Sequence, residues 1–184
     1  MRVWSLKTHE PIATLTGHTD AVCALALDAN FLFSAAEDGC VRLWDLHSHA
    51  ALSAWKLHAG PVRGLLIVPD SGWLVTCCSQ DQTVRVWDYA SGNELKVWSH
   101  SEAFKCIALK RSTGHVVAGT EEHHLISFPL SDVHDAIQAR VKEAEEAARE
   151  AEEELRRAEQ LAAHVEAKKA GRVIGGPLAA GRGE

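Results

Sequence analysis

Histidine, serine and aspartate recur in this chain at spacings that could build a nucleophilic site. His18, Ser34 and Asp38 are the clearest set, His58 and Asp81 form a second, and His100 begins a third. Such groups activate a hydroxyl for acyl transfer when they converge once, in a cleft. Here they recur in step with an aromatic residue: Trp44 after the first set, Trp87 after the second, Phe128 after the third. A set repeated once per unit marks architecture, so the chain is read as non-enzymatic. The run Glu121-Glu122-His123-His124 has metal-ligating residue types. Adjacent side chains on a strand project to opposite faces, so this run reads as a solvated loop start. The cysteines, Cys23, Cys40, Cys77, Cys78 and Cys106, contain no Cys-x-x-Cys pair and fall in strand-like segments, which suits buried, reduced thiols. No phosphate loop or nucleophile elbow is present, and no metal or cofactor is implied.

The spacing itself is the stronger signal. Trp4, Trp44, Trp87 and Phe128 are separated by 40, 43 and 41 residues, and His18, His58 and His100 by 40 and 42. Two markers in phase, with a Gly-His start and a Trp-Asp end, indicate four-stranded propeller blades. Short apolar runs alternate with turn residues to match. The first full unit predicts strands at about 21–27, 31–36, 41–45 and 51–56. The second predicts 62–68, 73–78, 83–88 and 94–98, and the third 103–109, 115–119 and 124–128. Asp70-Ser71-Gly72 and Ser91-Gly92-Asn93 supply tight turns. Pro129 follows the third unit's last strand, and no outer strand comes after it.

These residues resemble the WD-repeat β-propeller family over residues 2–128. The resemblance implies a mainly β fold: two full four-stranded antiparallel blades, two incomplete ones, and a long C-terminal α-helix. Residues 1–16 would end a preceding blade, 17–56 and 57–98 would be full blades, and 99–130 a degenerate one. Residues 131–170 would be a charged helix and 171–184 a disordered glycine-rich tail. It also implies a structural relay in each blade, joining the entry-loop histidine, a strand-two hydroxyl, a turn aspartate and the strand-three tryptophan. His18, Ser34, Asp38 and Trp44 fill it in the first unit. His58, Asp81 and Trp87 fill it in the second, with Cys77 standing at the hydroxyl position. In the third, His100 remains while Ala118, Glu122 and Phe128 replace the other members. That unit should be the weakest, or Glu122 should face water.

The family contacts partners through the narrow face of its ring. Carried over position by position, that face is Ala21, Cys23 and Glu37; Pro61, Arg63 and Gln80; Ala103, Lys105 and Glu121. Arg63, Gln80, Lys105, Glu37 and Glu121 are its polar members. His47 and Ala90 stand where ubiquitin-ligase receptors of this family carry arginine, which disfavours that role. The repeats present cover less than half of a common seven-bladed ring, so the chain reads as the C-terminal piece of a larger propeller. A ring completed by another chain is the alternative.

From 133 to 170 there is no proline or glycine, and alanine, glutamate and arginine dominate. Ser131-Asp132 offers a cap and Gly171 a stop. A 4-3 seam runs through Ile137, Val141, Ala144, Ala148, Ala151, Leu155, Ala158, Ala162 and Val165. Its alanines bury little, so it suits a thin coiled coil with itself or a partner, a free-standing charged helix, or one packed back on the blades.

The net charge of -6 gives no basic footprint for nucleic acid, and no run is long and apolar enough to cross a membrane. The chain is therefore read as a cytoplasmic protein–protein interaction scaffold, a propeller platform joined to an assembly helix within a larger complex. Cytoskeletal and ciliary assemblies are analogues. The alternative is a coiled-coil dimeriser or rod carrying a vestigial arc.

Overall fold

The computed structural model describes residues 1–173. Among the described residues there are thirteen strands and one helix, and the chain divides into two compact units, Met1–Ile137 and Gln138–Glu184. The strands appear where the period places them. β1 (Arg2–Trp4) and β2 (Pro11–Thr14) form a hairpin. β3 (Val22–Asp28), β4 (Phe31–Ala36), β5 (Cys40–Asp45) and β6 (Ala51–Lys56) form a four-stranded antiparallel meander. β7 (Val62–Val68), β8 (Trp73–Cys78), β9 (Thr83–Asp88) and β10 (Glu94–Ser99) repeat it. β11 (Phe104–Lys110), β12 (His115–Thr120) and β13 (Leu125–Pro129) form a third sheet of three strands.

The second strand of each full sheet carries the core. Every residue of β8 is buried, as are all but Phe31 of β4, because neighbouring sheets cover both of their faces. Phe33, Ala35 and Val41 of the first meander pack against Val62, Leu65 and Leu74 of the second. Trp73, Val75, Val84 and Val86 of the second pack against Phe104, Val116 and Phe128 of the third. The β1–β2 hairpin brings Leu15 to Leu32 and Trp44, but it covers only part of the first meander. Leu25 on β3 remains 57% exposed, whereas its counterpart Leu65 on β7 is 8% exposed.

Each inner strand carries a β-bulge at the same place. The register slips between Val22 and Ala24, between Val62 and Gly64, and between Phe104 and Cys106. The extra residues are Cys23, Arg63 and Lys105, each left out of the ladder and re-aimed by the local bend. The turns need left-handed backbone at defined points. Gly39 has φ +75°, and its carbonyl accepts hydrogen bonds from the amides of Leu57 and His58, so one blade's turn holds the entry to the next.

The helix α1 runs Ser131–Val173, continuing through Gly171 rather than stopping before it. The sequence places the cap at Ser131-Asp132. Instead the Leu130 carbonyl accepts the first hydrogen bonds, from the amides of Val133 and His134, and Asp132 sits in the first turn. The opening of the helix, residues 131–137, belongs to the repeat unit. Val133 is fully buried, Ile137 packs on the same cluster, and the His134 ring meets Trp73 at 4.7 Å, edge on. The seam drawn through the sequence begins inside this segment, at Ile137. Val133 and Ile137 close the core of the third sheet, which has three strands. In the second unit, Gln138 onward, Val141 and Leu155 are exposed. The tail expected at 171–184 lies outside the described residues from 174 on.

Phe104, fully buried between the second and third sheets, is the largest anchor of the third sheet. Phe104→Ala should destabilise the repeat unit by about 3–5 kcal/mol in chemical denaturation. Amide-exchange protection should be lost first in β11–β13.

Candidate functional site: the blade relays and the bulge face

The first sheet assembles one directional chain of hydrogen bonds. Trp44 Nε1 donates to Ser34 Oγ at 2.8 Å, Ser34 Oγ meets His18 Nε2 at 2.8 Å, and His18 Nδ1 meets Asp38 Oδ2 at 2.9 Å. The tautomer follows from satisfaction. A carboxylate only accepts, so Nδ1 carries the proton, Nε2 accepts from the serine, and the serine oxygen is left to accept from the indole. Asp38 also accepts from the amides of Cys40 and Thr19. Burial opposes ionisation of Asp38, but the hydrogen bond from His18 and those two amides outweigh it, so its pKa lies below the usual value. Ser34 is fully buried and its oxygen is already engaged on both sides, so no substrate carbonyl reaches it. The geometry of a triad is present without its accessibility.

The second sheet builds the same chain through Thr76. Trp87 Nε1 donates to Thr76 Oγ1 at 3.0 Å, Thr76 Oγ1 meets His58 Nε2 at 2.7 Å, and His58 Nδ1 meets Asp81 Oδ2 at 2.7 Å. The assignment of Cys77 to the hydroxyl position is therefore corrected. The β4–β5 turn has three residues, 37–39, and the β8–β9 turn has four, 79–82. Counting back from the aspartate by the same number lands one residue late, and one residue along a strand is the opposite face. In the ladder, Ser34 faces Arg42 and Thr76 faces Arg85, while Cys77 matches Ala35 as a core residue. Burial pushes the Cys77 thiol up to about 12, so it stays protonated and inert. His58 is held below its ordinary value, chiefly by burial and against the pull of Asp81. Thr83 adds a further bond to Asp81, and Arg85 links Thr83 to Glu94.

No such chain forms in the third sheet, and His100 does not act as a relay member. Its Nδ1 accepts the amide of Glu102 at 3.2 Å, while Ala118 offers no hydroxyl and Glu122 faces solvent. Phe128, opposite Val116 as Trp44 is opposite Leu32, has no N–H to donate. It stacks on Trp98 at 5.0 Å and meets Phe104 edge on at 6.0 Å. Apolar packing replaces the polar chain. A separate polar group lies at the turn: His124 Nδ1 meets Glu102 Oε1 at 2.8 Å, and the His124 amide donates to Thr120 Oγ1. His123 and His124 lie in the turn before β13, not on the strand, and His123 has φ +68°. Donor atoms of Glu102, Glu122 and His124 fall within 4.8 Å of one another, with the imidazole and Glu122 open to water.

The face residues gather at the end of the sheets where the inner strands begin and the second strands finish. Arg63, on its bulge, reaches Glu37 of the preceding sheet at 2.8 Å and Cys23 at 3.5 Å. Lys105, on the next bulge, pairs with Glu121 at 2.9 Å. The amides of Glu37 and Glu121 bond the carbonyls of Ala21 and Ala103. Gln80 is exposed, with its side chain against Gly60. At the opposite end the Tyr89 hydroxyl donates to Asp28 at 2.8 Å, so the first two sheets are tied at both ends. The bulge in each inner strand was not visible in the sequence. Its marker is the one-residue excess of β3, β7 and β11 over their partners.

Four-stranded antiparallel meanders packed face to face, each carrying its own buried relay, define a segment of a β-propeller. A family model for the WD domain, G-beta repeat, matches residues 9–45 and 51–88. Over those two stretches the chain is similar to the WD-repeat family. It is 36% identical over 92 residues to the target of rapamycin complex subunit wat1 of Schizosaccharomyces pombe, covering 48% of this chain and 29% of that protein. It is 28% identical over 145 residues to autophagy-related protein 16 of Arabidopsis thaliana (77% and 26%). Identity is 26% over 138 residues to eukaryotic translation initiation factor 3 subunit I of Neurospora crassa (73% and 39%). The chain thus spans about a quarter to two fifths of the length of these relatives. Its fold matches the crystal structure of the computationally designed Ika4 protein with a TM-score of 0.61, at 24% identity, over 70% of this chain and 78% of that one.

Thr76→Val keeps the shape but leaves the Trp87 indole and the His58 ring without the shared hydroxyl, a cost of about 1–3 kcal/mol. The Trp87 indole proton resonance should move in Thr76→Val and stay in place in Cys77→Ala. The relays also set the pH response. His58 has a lowered folded pKa, so its share of stability is present above about 6.5 and falls as the pH drops below that value. Asp38 and Asp81, also lowered, lose theirs only below 3.8. Urea midpoints against pH should show both steps, and His58→Gln should remove the first.

Proposed function

We propose that this chain is part of a non-catalytic interaction scaffold, a propeller platform carrying an assembly helix, within a larger cytoplasmic complex. The single observation behind it is the bulge face. Three successive inner strands each release one residue from the ladder at the same end, and Glu37, Arg63, Lys105 and Glu121 are fixed there by ion pairs. Rim pairs of this kind contribute little to folding but set register and charge pattern for a partner. Two relatives, a subunit of a target of rapamycin complex and a subunit of a translation initiation factor, support a role in assemblies. Leu25 and Leu27, bare on β3, suit further strands of a ring packed against the first sheet.

The second reading, a coiled-coil rod with the repeats as a docking remnant, has its support in the exposed Val141 and Leu155. Two variants separate them in co-purification from cells. Glu37→Ala/Arg63→Ala/Lys105→Ala should abolish partner recovery at unchanged melting temperature if the face recognises the partner. Deletion of 138–184 should abolish it if the helix does. Recovery that survives the triple variant and vanishes with the deletion overturns the platform reading.

A further inference from the structure

The third sheet ties its entry loop to its β12–β13 turn at the surface, with the two groups exchanged. In the full blades the entry loop gives the imidazole and the turn gives the carboxylate, as His18 with Asp38 and His58 with Asp81. In the third sheet the entry loop gives the Glu102 carboxylate and the turn gives the His124 imidazole, with Oε1 and Nδ1 2.8 Å apart. The full-blade pairs are closed to an ion, because the second nitrogen of each ring is taken by Ser34 or Thr76. Cys78 lies near His58 and Asp81, but burial raises its thiol pKa and both His58 nitrogens are engaged. The His124 side chain, by contrast, is 63% exposed.

A third donor completes the group. Glu122, in the same turn as His124, places a carboxylate oxygen so that it, an oxygen of Glu102 and a ring nitrogen of His124 all lie within 4.8 Å of one another. Glu122 is exposed and makes no ion pair among the described residues. Alternation along a strand would have sent neighbouring ligands to opposite faces. The set instead joins two residues of a turn to one of a different loop. Its backbone is held: the His124 amide donates to Thr120 Oγ1, and the Glu102 amide donates to His100 Nδ1. A separate observation concerns the other oxygen of Glu102. Oε2 is shut off from water and has no hydrogen-bond partner. Two carboxylates this close repel, and a buried oxygen without a partner is costly; a cation between them relieves both.

We propose that Glu102, Glu122 and His124 bind one divalent transition ion of the zinc class, with a fourth position left to water. Imidazole nitrogen and carboxylate oxygen both bind such an ion at about 2.0–2.2 Å, which sets them about 3.3 Å apart in a tetrahedral site. Nδ1 and Oε1 would separate by about half an ångström as the proton between them leaves. The imidazole disfavours magnesium and calcium, which take oxygen ligands in larger number. The ion would pin the entry loop to the turn where the buried relay is missing. The site does not depend on the scaffold reading.

The test uses the full chain, stripped of metal. Calorimetry should show one saturable Zn²⁺ site that millimolar Mg²⁺ or Ca²⁺ does not displace. Co²⁺ should give the visible bands of a tetrahedral site without the near-ultraviolet thiolate band that cysteine ligands add. Glu122→Gln and His124→Ala should each weaken Zn²⁺ at least about tenfold. Because both side chains are exposed, the metal-free melting temperature should not change. His123→Ala and His47→Ala should leave affinity intact. Zn²⁺ should slow amide exchange at residues 99–103 and 121–124 in the parent chain and not in Glu122→Gln. Absence of a Zn²⁺ site, a thiolate band, full affinity in Glu122→Gln, or loss with His123→Ala but not with His124→Ala would each overturn the inference.

Discussion

Everything in the two full blades hangs on a hydroxyl that both gives and receives. Ser34 accepts the Trp44 indole proton and gives its own to His18; Thr76 does the same between Trp87 and His58. The imidazole next to it also donates and accepts, but the hydroxyl alone can receive the indole, which only donates, while the carboxylate at the far end only accepts. The chain of donors runs one way, from the third strand through the second to the entry loop and turn. It therefore ties the entry loop and the turn, which the ladder alone would leave at liberty, to two strands that the ladder already pairs. Where the hydroxyl becomes Ala118, the rest dissolves together: His100 turns to a local amide and Glu122 goes to water.

The third sheet shows what replaces such a network. Phe128, Trp98 and Phe104 form an aromatic cluster, and Leu130, Val133 and Ile137 bring the start of the helix onto it. Apolar contact tolerates inexact geometry in a way that a buried hydrogen-bonded chain does not. This sheet can thus end in three strands and pass directly into a helix.

Most of the fold was legible because its signal is periodic. Trp44, Trp87 and Phe128 do lie on equivalent third strands, and turn residues bracket nearly every strand. Register was harder. Thr76 and Cys77 are adjacent, and only the length of the β8–β9 turn decides which faces the relay, a matter of one residue that no composition rule encodes. His100 was misleading for another reason. Its spacing is intact, but a relay member is defined by its partners, and those are gone. Ile137 heads the seam drawn through the sequence, yet it joins the core with Val133, because helical periodicity does not reveal which stretch of a helix finds a core.

The bulges at Cys23, Arg63 and Lys105 separate two kinds of selection. A residue outside the ladder carries little of the sheet's stability, so its identity can drift without unfolding the blade. Neighbouring positions such as Val62 and Phe104 are locked in the interior and cannot. Successive blades could then diversify what their rims display while keeping one interior, which is how a single scaffold comes to serve many unrelated assemblies.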